Sequence, residues 1–180
     1  GVMKRLLLFT PLILAVVLGV VLFAGIGKDP NKLESALIGK PVPEFLLTDL
    51  HNESRELTRE VFEGHVSLLN VWGTWCPACR DEHGDLVWLA EEKGVRIVGL
   101  NYKDNRDDAL VWLDRLGDPY QVSIYDPRGS LGFDLGVYGA PETYVIDAEG
   151  IVRYRHVGVV NEKVWEQDIK PIVDRFREKI

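Results

Sequence analysis

Hydrophobic and polar positions divide the chain into one long uncharged block and a series of short apolar runs set between helical patterns. Leu6 to Ile26 is 21 residues without a charge. At a rise of about 1.5 Å per residue this spans roughly 30 Å, which predicts a single N-terminal transmembrane helix. Ser67 to Trp72 (SLLNVW) is a brief, mostly apolar run of the kind that forms a strand buried on both faces. Gly73-Thr74 ends it, and Cys76 to Glu92 then reads as a helix with Leu86, Leu89 and Ala90 on one side. Val95 to Leu100 is the next buried strand, and strand, helix and strand with short links imply a right-handed βαβ unit. Asn105 to Leu116 repeats Leu110, Leu113 and Leu116 at helical spacing, with Gly117 as the stop. Gln121 to Tyr125 is a strand closed by Asp126-Pro127-Arg128-Gly129. Thr143–Asp147 and Ile151–Val157 flank Ala148-Glu149-Gly150, which is a hairpin signal. The last helix is expected from Asn161 to Lys179, kinked at Pro171. The pattern as a whole is α/β, a mixed sheet with helices on both faces.

These elements group into an anchor (6–26), a tether (27–43) and one domain (44–180). Prolines at 30, 41 and 43 exclude a continuous helix in the tether. Lys4 and Arg5 directly precede the apolar block, so the positive-inside rule places the N-terminus in the cytoplasm and the domain outside. A cleaved signal peptide is the rival reading. It calls for a shorter apolar region and a small-x-small exit, which Phe23-Ala24-Gly25-Ile26 fits poorly. The 180 residues carry a net charge of −7, and beyond residue 27 there are 28 acidic against 19 basic groups. That balance offers no electrostatic footprint for phosphate backbones and excludes nucleic acid as a partner. Two cysteines cannot build a disulfide-rich scaffold.

Both cysteines lie in Cys76-Pro77-Ala78-Cys79, at the expected junction of a strand and a helix. A thiol at a helix N-terminus meets unpaired backbone N–H groups and the positive end of the helix dipole. Such placement lowers its pKa from about 8.5 into the range ~3.5–7.5. Pro77 suits the first turn because it has no N–H to leave unsatisfied. Cys79, one turn further in, is expected to be more buried and less acidic. The asymmetry suits a dithiol in which Cys76 attacks a substrate disulfide and Cys79 resolves the mixed disulfide. Other uses of the pair fit less well. A structural disulfide closing so small a loop adds little stability. Zinc needs four ligands, and His51, His65, His83 and His156 are scattered. Covalent haem attachment needs a histidine after the second cysteine, where Arg80 stands. Cu(I) delivery by two thiolates is a live alternative, although the only methionine is Met3. A thiol peroxidase is a third reading, in which Arg80 would be the activating cation.

Cys76-Pro77-Ala78-Cys79 after a strand, with Gly139-Ala140-Pro141-Glu142-Thr143 before a later one, resembles the thioredoxin-like fold. The longer strings Leu69–Trp75, Arg80-Asp81-Glu82-His83 and Gly136–Thr143 resemble the DsbE/CcmG branch, membrane-anchored periplasmic thiol reductases of cytochrome c maturation. The resemblance covers nearly the whole chain, through Ile151–His156 and Val164-Trp165-Glu166. The central dipeptide, which tunes redox potential, departs from it: the branch carries Pro-Thr and this chain Pro-Ala. The resemblance implies a thioredoxin-like mixed sheet with an inserted strand and short helix at Gln121–Leu135, and a bacterial inner-membrane protein with its domain in the periplasm. It further implies a cis Pro141 facing the cysteines, with Ala140 before it leaving room for a substrate backbone.

Around the pair, Cys76, Cys79 and Glu82 are the expected catalytic residues. Glu82, one turn past Cys79, is placed to accept its proton if burial raises the carboxyl pKa. Trp75, Pro77, Ala140, Pro141 and Glu142 are the expected substrate-binding residues, with Glu142 adding negative charge that would oppose the helix dipole at Cys76. Trp72 and His83 read as packing residues. No cofactor or metal is needed, because two thiols carry the electrons. The implied partners are apocytochrome c or a haem-ligation protein carrying CxxC(H), and a membrane electron donor of the DsbD/CcdA type.

Overall fold

In a computed structural model the chain is described over residues 1–26 and 36–179. Residues 27–35, most of the expected tether, lie outside the described residues. The first unit is a single helix, α1 (Val2–Ile26), with a mean hydropathy of 2.9 over its most apolar window and every residue exposed. It starts four residues before the uncharged block, and its 25 residues are long and apolar enough to cross a membrane.

The second unit contains a seven-stranded sheet of order β2-β1-β5-β4-β3-β6-β7. Its centre is β3 (Ser67–Trp72), buried at every position, between parallel β4 (Ile97–Tyr102) and antiparallel β6 (Glu142–Ile146). β5 (Val122–Asp126) runs parallel to β4, and β7 (Val152–Val157) closes the expected hairpin with β6. Two short strands escaped the sequence reading: β1 (Leu47–Asp49), antiparallel to β5, and β2 (Glu56–Leu57), antiparallel to β1 at the sheet edge. Runs of three and two residues are too brief for a period-2 alternation to show.

One face of the sheet is covered by α2 (Pro77–Glu92), α3 (Arg106–Leu116) and the C-terminal helical segment, which bury Leu86, Leu89, Ala109, Leu113, Trp165, Ile169 and Val173 against Leu68, Trp72 and Ile97. The other face packs Val71, Val98, Leu100 and Tyr144 under Phe62 and under Leu131 and Leu135 of α4 (Ser130–Leu135). α3 begins where Asn105 accepts a hydrogen bond from the Asp108 N–H, a standard N-cap arrangement. It ends at Gly117, whose φ of 95° lets its N–H return to the Leu113 carbonyl.

The expected kink at Pro171 takes the form of a widened turn. α5 (Glu162–Val164) passes into a π-helical turn, Trp165–Ile169, before α6 (Lys170–Arg177). Proline cannot donate to the preceding turn and its ring collides with the carbonyl four residues back. Opening one turn to a wider register relieves that collision. The domain also starts earlier than residue 44. Gly39 N–H donates to the Val152 carbonyl, Val152 N–H to the Lys40 carbonyl, and Val42, fully buried, donates to the Gly150 carbonyl. Residues 39–42 therefore belong to the sheet edge and not to a free tether.

Candidate active site

The candidate active site forms where β3 ends and α2 begins. Gly73 makes the turn possible at close quarters: a Cβ there would lie 2.3 Å from the Trp75 indole nitrogen. The Trp75 ring folds back over this glycine, donates its Nε1–H to the Tyr102 carbonyl at 3.0 Å, and remains 49 % exposed. Thr74 is pinned from the neighbouring loop by Asp104, which accepts from the Thr74 N–H (2.8 Å) and hydroxyl (2.6 Å). The chain then enters α2 with its direction fixed at both residues before the first cysteine.

Cys76 is the N-cap of α2, and Pro77 occupies the first turn as expected and is exposed. The two cysteines are joined by a disulfide with Cα atoms 5.3 Å apart, so the structure describes the oxidised protein. Cys76 is 4 % exposed and Cys79 1 %. The Cys79 N–H donates to Cys76 Sγ at 3.2 Å. In the reduced protein the same N–H and the dipole of a 16-residue helix stabilise a Cys76 thiolate.

Glu82 is fully buried on α2, one turn beyond Cys79. Its two carboxylate oxygens accept from Asn70 Nδ2 and from the Val160 N–H, each at 3.0 Å. Burial is the main influence on it and raises its pKa to about 7, against the lowering effect of those two donors. A carboxyl poised near neutrality inside the domain can take up and release a proton under physiological conditions. Asn70 is held in turn by the Tyr120 hydroxyl (2.8 Å) and also reaches the Thr143 hydroxyl (3.1 Å). Burial, then the Glu82 charge, pushes the Tyr120 hydroxyl well above its usual range, so it stays protonated and donates to Asn70.

Asn70, Tyr120, Thr143 and the Val160 N–H are the members of this network that sequence reasoning missed. Asn70 carried a signal, a lone amide inside an otherwise apolar strand, whereas a backbone N–H 78 residues away carries none.

The remaining candidates separate clearly. The Ala140–Pro141 peptide is cis. Pro141 is buried, its carbonyl accepts from the Gly158 N–H at 3.0 Å, and Ala140 sits at the rim between the two cores. Glu142 differs from the expectation. It pairs with Val71 in the β3–β6 register, so it shares the face of Tyr144, while Asn70, Thr143 and α2 occupy the other. Its carboxylate is taken by Arg155, whose Nε lies 2.7 Å from Oε1. Its charge is thus neutralised and turned away from the helix that carries the thiols. Trp72 is core, stacked between Trp112 and Tyr120 at ring separations of 5.0 and 5.4 Å. His83 is buried, with Nε2 2.7 Å from the Gly117 carbonyl and its ring edge-on to Trp112. Among the described residues no three His, Cys, Asp or Glu side chains gather in a way that would hold a metal ion.

The Redoxin family model matches residues 37–171. The thiol:disulfide interchange protein DsbE of Allochromatium vinosum is 51 % identical over 174 residues, covering 97 % of this chain and 95 % of that protein. DsbE of Escherichia coli K12 is 50 % identical over 180 residues, covering 97 % of each. Among solved structures, the secreted thiol-disulfide isomerase of Corynebacterium glutamicum superposes with a TM-score of 0.66 at 29 % identity, over 82 % of this chain and 96 % of that one. The thio-disulfide isomerase of Thermus thermophilus shares the fold at a TM-score of 0.61 and 23 % identity, over 74 % of this chain and 95 % of that one. With a cysteine pair at a helix start and a cis proline before β6 on a thioredoxin-like sheet, the chain belongs to the Redoxin family and, within it, to the DsbE thiol:disulfide interchange proteins.

Proposed function

We propose that this protein is a thiol–disulfide reductase, anchored in the bacterial inner membrane by α1 with its domain in the periplasm, that reduces a disulfide in apocytochrome c or in a haem-ligation partner carrying CxxC(H). The observation that carries the reading is the cysteine pair at the start of α2, with Cys76 as N-cap, in a chain half identical to DsbE proteins over 97 % of its length. Reaction begins from the dithiol. The Cys76 thiolate attacks one sulfur of the substrate disulfide, forming a mixed disulfide and releasing the other substrate sulfur as a thiolate that takes up a proton. Cys79 then loses its proton and attacks Cys76 Sγ. The second substrate sulfur leaves and is protonated, and the protein ends as the Cys76–Cys79 disulfide. Two electrons and two protons pass to the substrate. The supporting role of Glu82 is to receive the proton that buried Cys79 must lose. A membrane donor of the DsbD/CcdA type returns two electrons and restores the dithiol.

The test is made in cells. With Cys76→Ser as the only copy, haem attachment to c-type cytochromes is expected to fail and to recover when a small dithiol is added to the medium. Normal cytochrome c assembly without added thiol would end this reading. The direction of electron flow is read from the reduction potential of the pair. A reductase is expected near the thioredoxin end of the scale (about −270 mV) and an oxidant near about −120 mV.

A further inference from the structure

We propose that Arg155 is a positioning residue for the exchange reaction, fastening the Gly136–Pro141 loop so that the Ala140–Pro141 peptide stands ready to receive the partner's backbone. The inference rests on thiol–disulfide exchange as such, not on which protein is the partner. Arg155 lies on β7, opposite Tyr144 in the β6–β7 register, and its side chain is only 6 % exposed. That guanidinium reaches the loop at its start and middle and the first residue of β6 that follows it. At the start, Nη2 donates to the Gly136 carbonyl at 3.1 Å. In the middle, the Tyr138 ring centroid lies 5.4 Å from the guanidinium carbon, within cation–π range. At the end, Nε donates to Glu142 Oε1, and Nη2 contacts the same oxygen. Glu142 completes the clasp by accepting from the Tyr138 N–H at 3.3 Å and from the Tyr144 hydroxyl at 3.2 Å.

The chemistry of this cluster points to geometry and not to field. The buried carboxylate that follows the loop, Glu142 at the start of β6, is ion-paired, and it lies on the sheet face away from α2, so it is poorly placed to tune the cysteines. Removing the guanidinium would release the Gly136 carbonyl and the Tyr138 ring together and leave Glu142 buried without its cation. The planar fork also explains why arginine is required. A lysine ammonium can pair with Glu142, but it is a point charge and cannot also reach along the loop to Gly136. Tyr138, 63 % exposed over the guanidinium, then presents a held aromatic face toward whatever docks at Ala140–Pro141.

The experiment compares two substrates on the full-length protein in detergent: a peptide containing a CxxC disulfide, which needs the loop, and a small aromatic disulfide, which does not. For Arg155→Met the KM for the peptide is expected to rise about tenfold with little change in kcat, the signature of lost binding. The ratio of peptide to small-disulfide kcat/KM falls by the same factor, and the reduction potential of Cys76–Cys79 stays at the wild-type value. Arg155→Lys is expected to recover less than half of the loss. Tyr138→Ala, which leaves the ion pair intact, serves if Arg155→Met proves too unstable, and is expected to raise the peptide KM by about threefold. A shifted reduction potential in Arg155→Met, or an equal loss toward both substrates, would make the pair an electrostatic tuner or a general fold element and overturn the proposal. An unchanged peptide KM in Arg155→Met, or in Tyr138→Ala where that variant stands in, overturns it as well.

Discussion

Cys79→Ser is expected to accumulate a covalent mixed disulfide with substrate through Cys76, while Cys76→Ser is expected to form none and to lose turnover altogether. The difference follows from where α2 begins. Cys76 caps the helix and accepts the Cys79 N–H, so its thiolate is the stabilised one and it makes the first attack. Cys79 lies inside the first turn, more deeply buried. Without its sulfur the second displacement cannot occur and the first product persists. Non-reducing electrophoresis with a CxxC disulfide peptide, followed by mass analysis of the adduct, reads both outcomes. A stable adduct on Cys79 in the Cys76→Ser protein would reverse the assignment of attacking and resolving sulfur.

Glu82 sets the second large effect, on stability as a function of pH. In the oxidised protein its pKa is raised from 4.5 to about 7. The folded state therefore holds a proton that the unfolded chain releases above about pH 4.5. Stability derived from this group is fully present below 4.5, declines as pH climbs through the window to about 7, and is lost above it. The rise corresponds to about 3 kcal/mol. The unfolding free energy of wild type relative to Glu82→Gln is expected to fall by about that much between pH 4.5 and pH 8. Denaturant titrations of the oxidised proteins across this range measure it, and a flat difference would mean that Glu82 titrates as an ordinary surface carboxyl. Glutamine is not a perfect stand-in. Both carboxylate oxygens accept from donors, so one of them would meet the new NH₂ group. That adds a constant offset and leaves the slope intact. The same variant is expected to slow release of reduced substrate, with the loss greatest near neutral pH, where the carboxyl exchanges its proton.

The parts of this molecule that were legible in the sequence are those specified locally. The run SLLNVW, the break at Gly73-Thr74 and the cysteines at the head of a helical pattern fixed β3, α2 and the dithiol within a residue or two. Spacing put Glu82 one turn past Cys79 but left its burial open, because its two hydrogen-bond donors sit 12 and 78 residues away and only the closed sheet brings them together. Glu142 shows the opposite outcome. Its proximity to Pro141 in sequence suggested a charge near the thiols, but strand alternation sent the side chain to the other face and Arg155, 13 residues on, neutralised it. The resemblance placed the cis proline correctly, which no local propensity could have done. β1 and β2 were invisible because runs of three and two residues carry no alternation, and β1 is held by the distant strand β5 while β2 pairs with β1.

The docking of residues 39–42 along β7 has a further consequence. β7 is the last strand of the sheet, and the beginning of its outer edge is closed by the hydrogen bonds of Gly39, Lys40 and Val42, with Pro41 opposite Ile151. An open edge is a template on which a second chain can add a strand, and a proline beside it is a poor one because it has no N–H to offer. The segment that leads to the domain therefore also acts as its guard against self-association. A soluble form begun at residue 36 is expected to stay monomeric at concentrations where one begun at residue 44 forms oligomers, as light scattering would show.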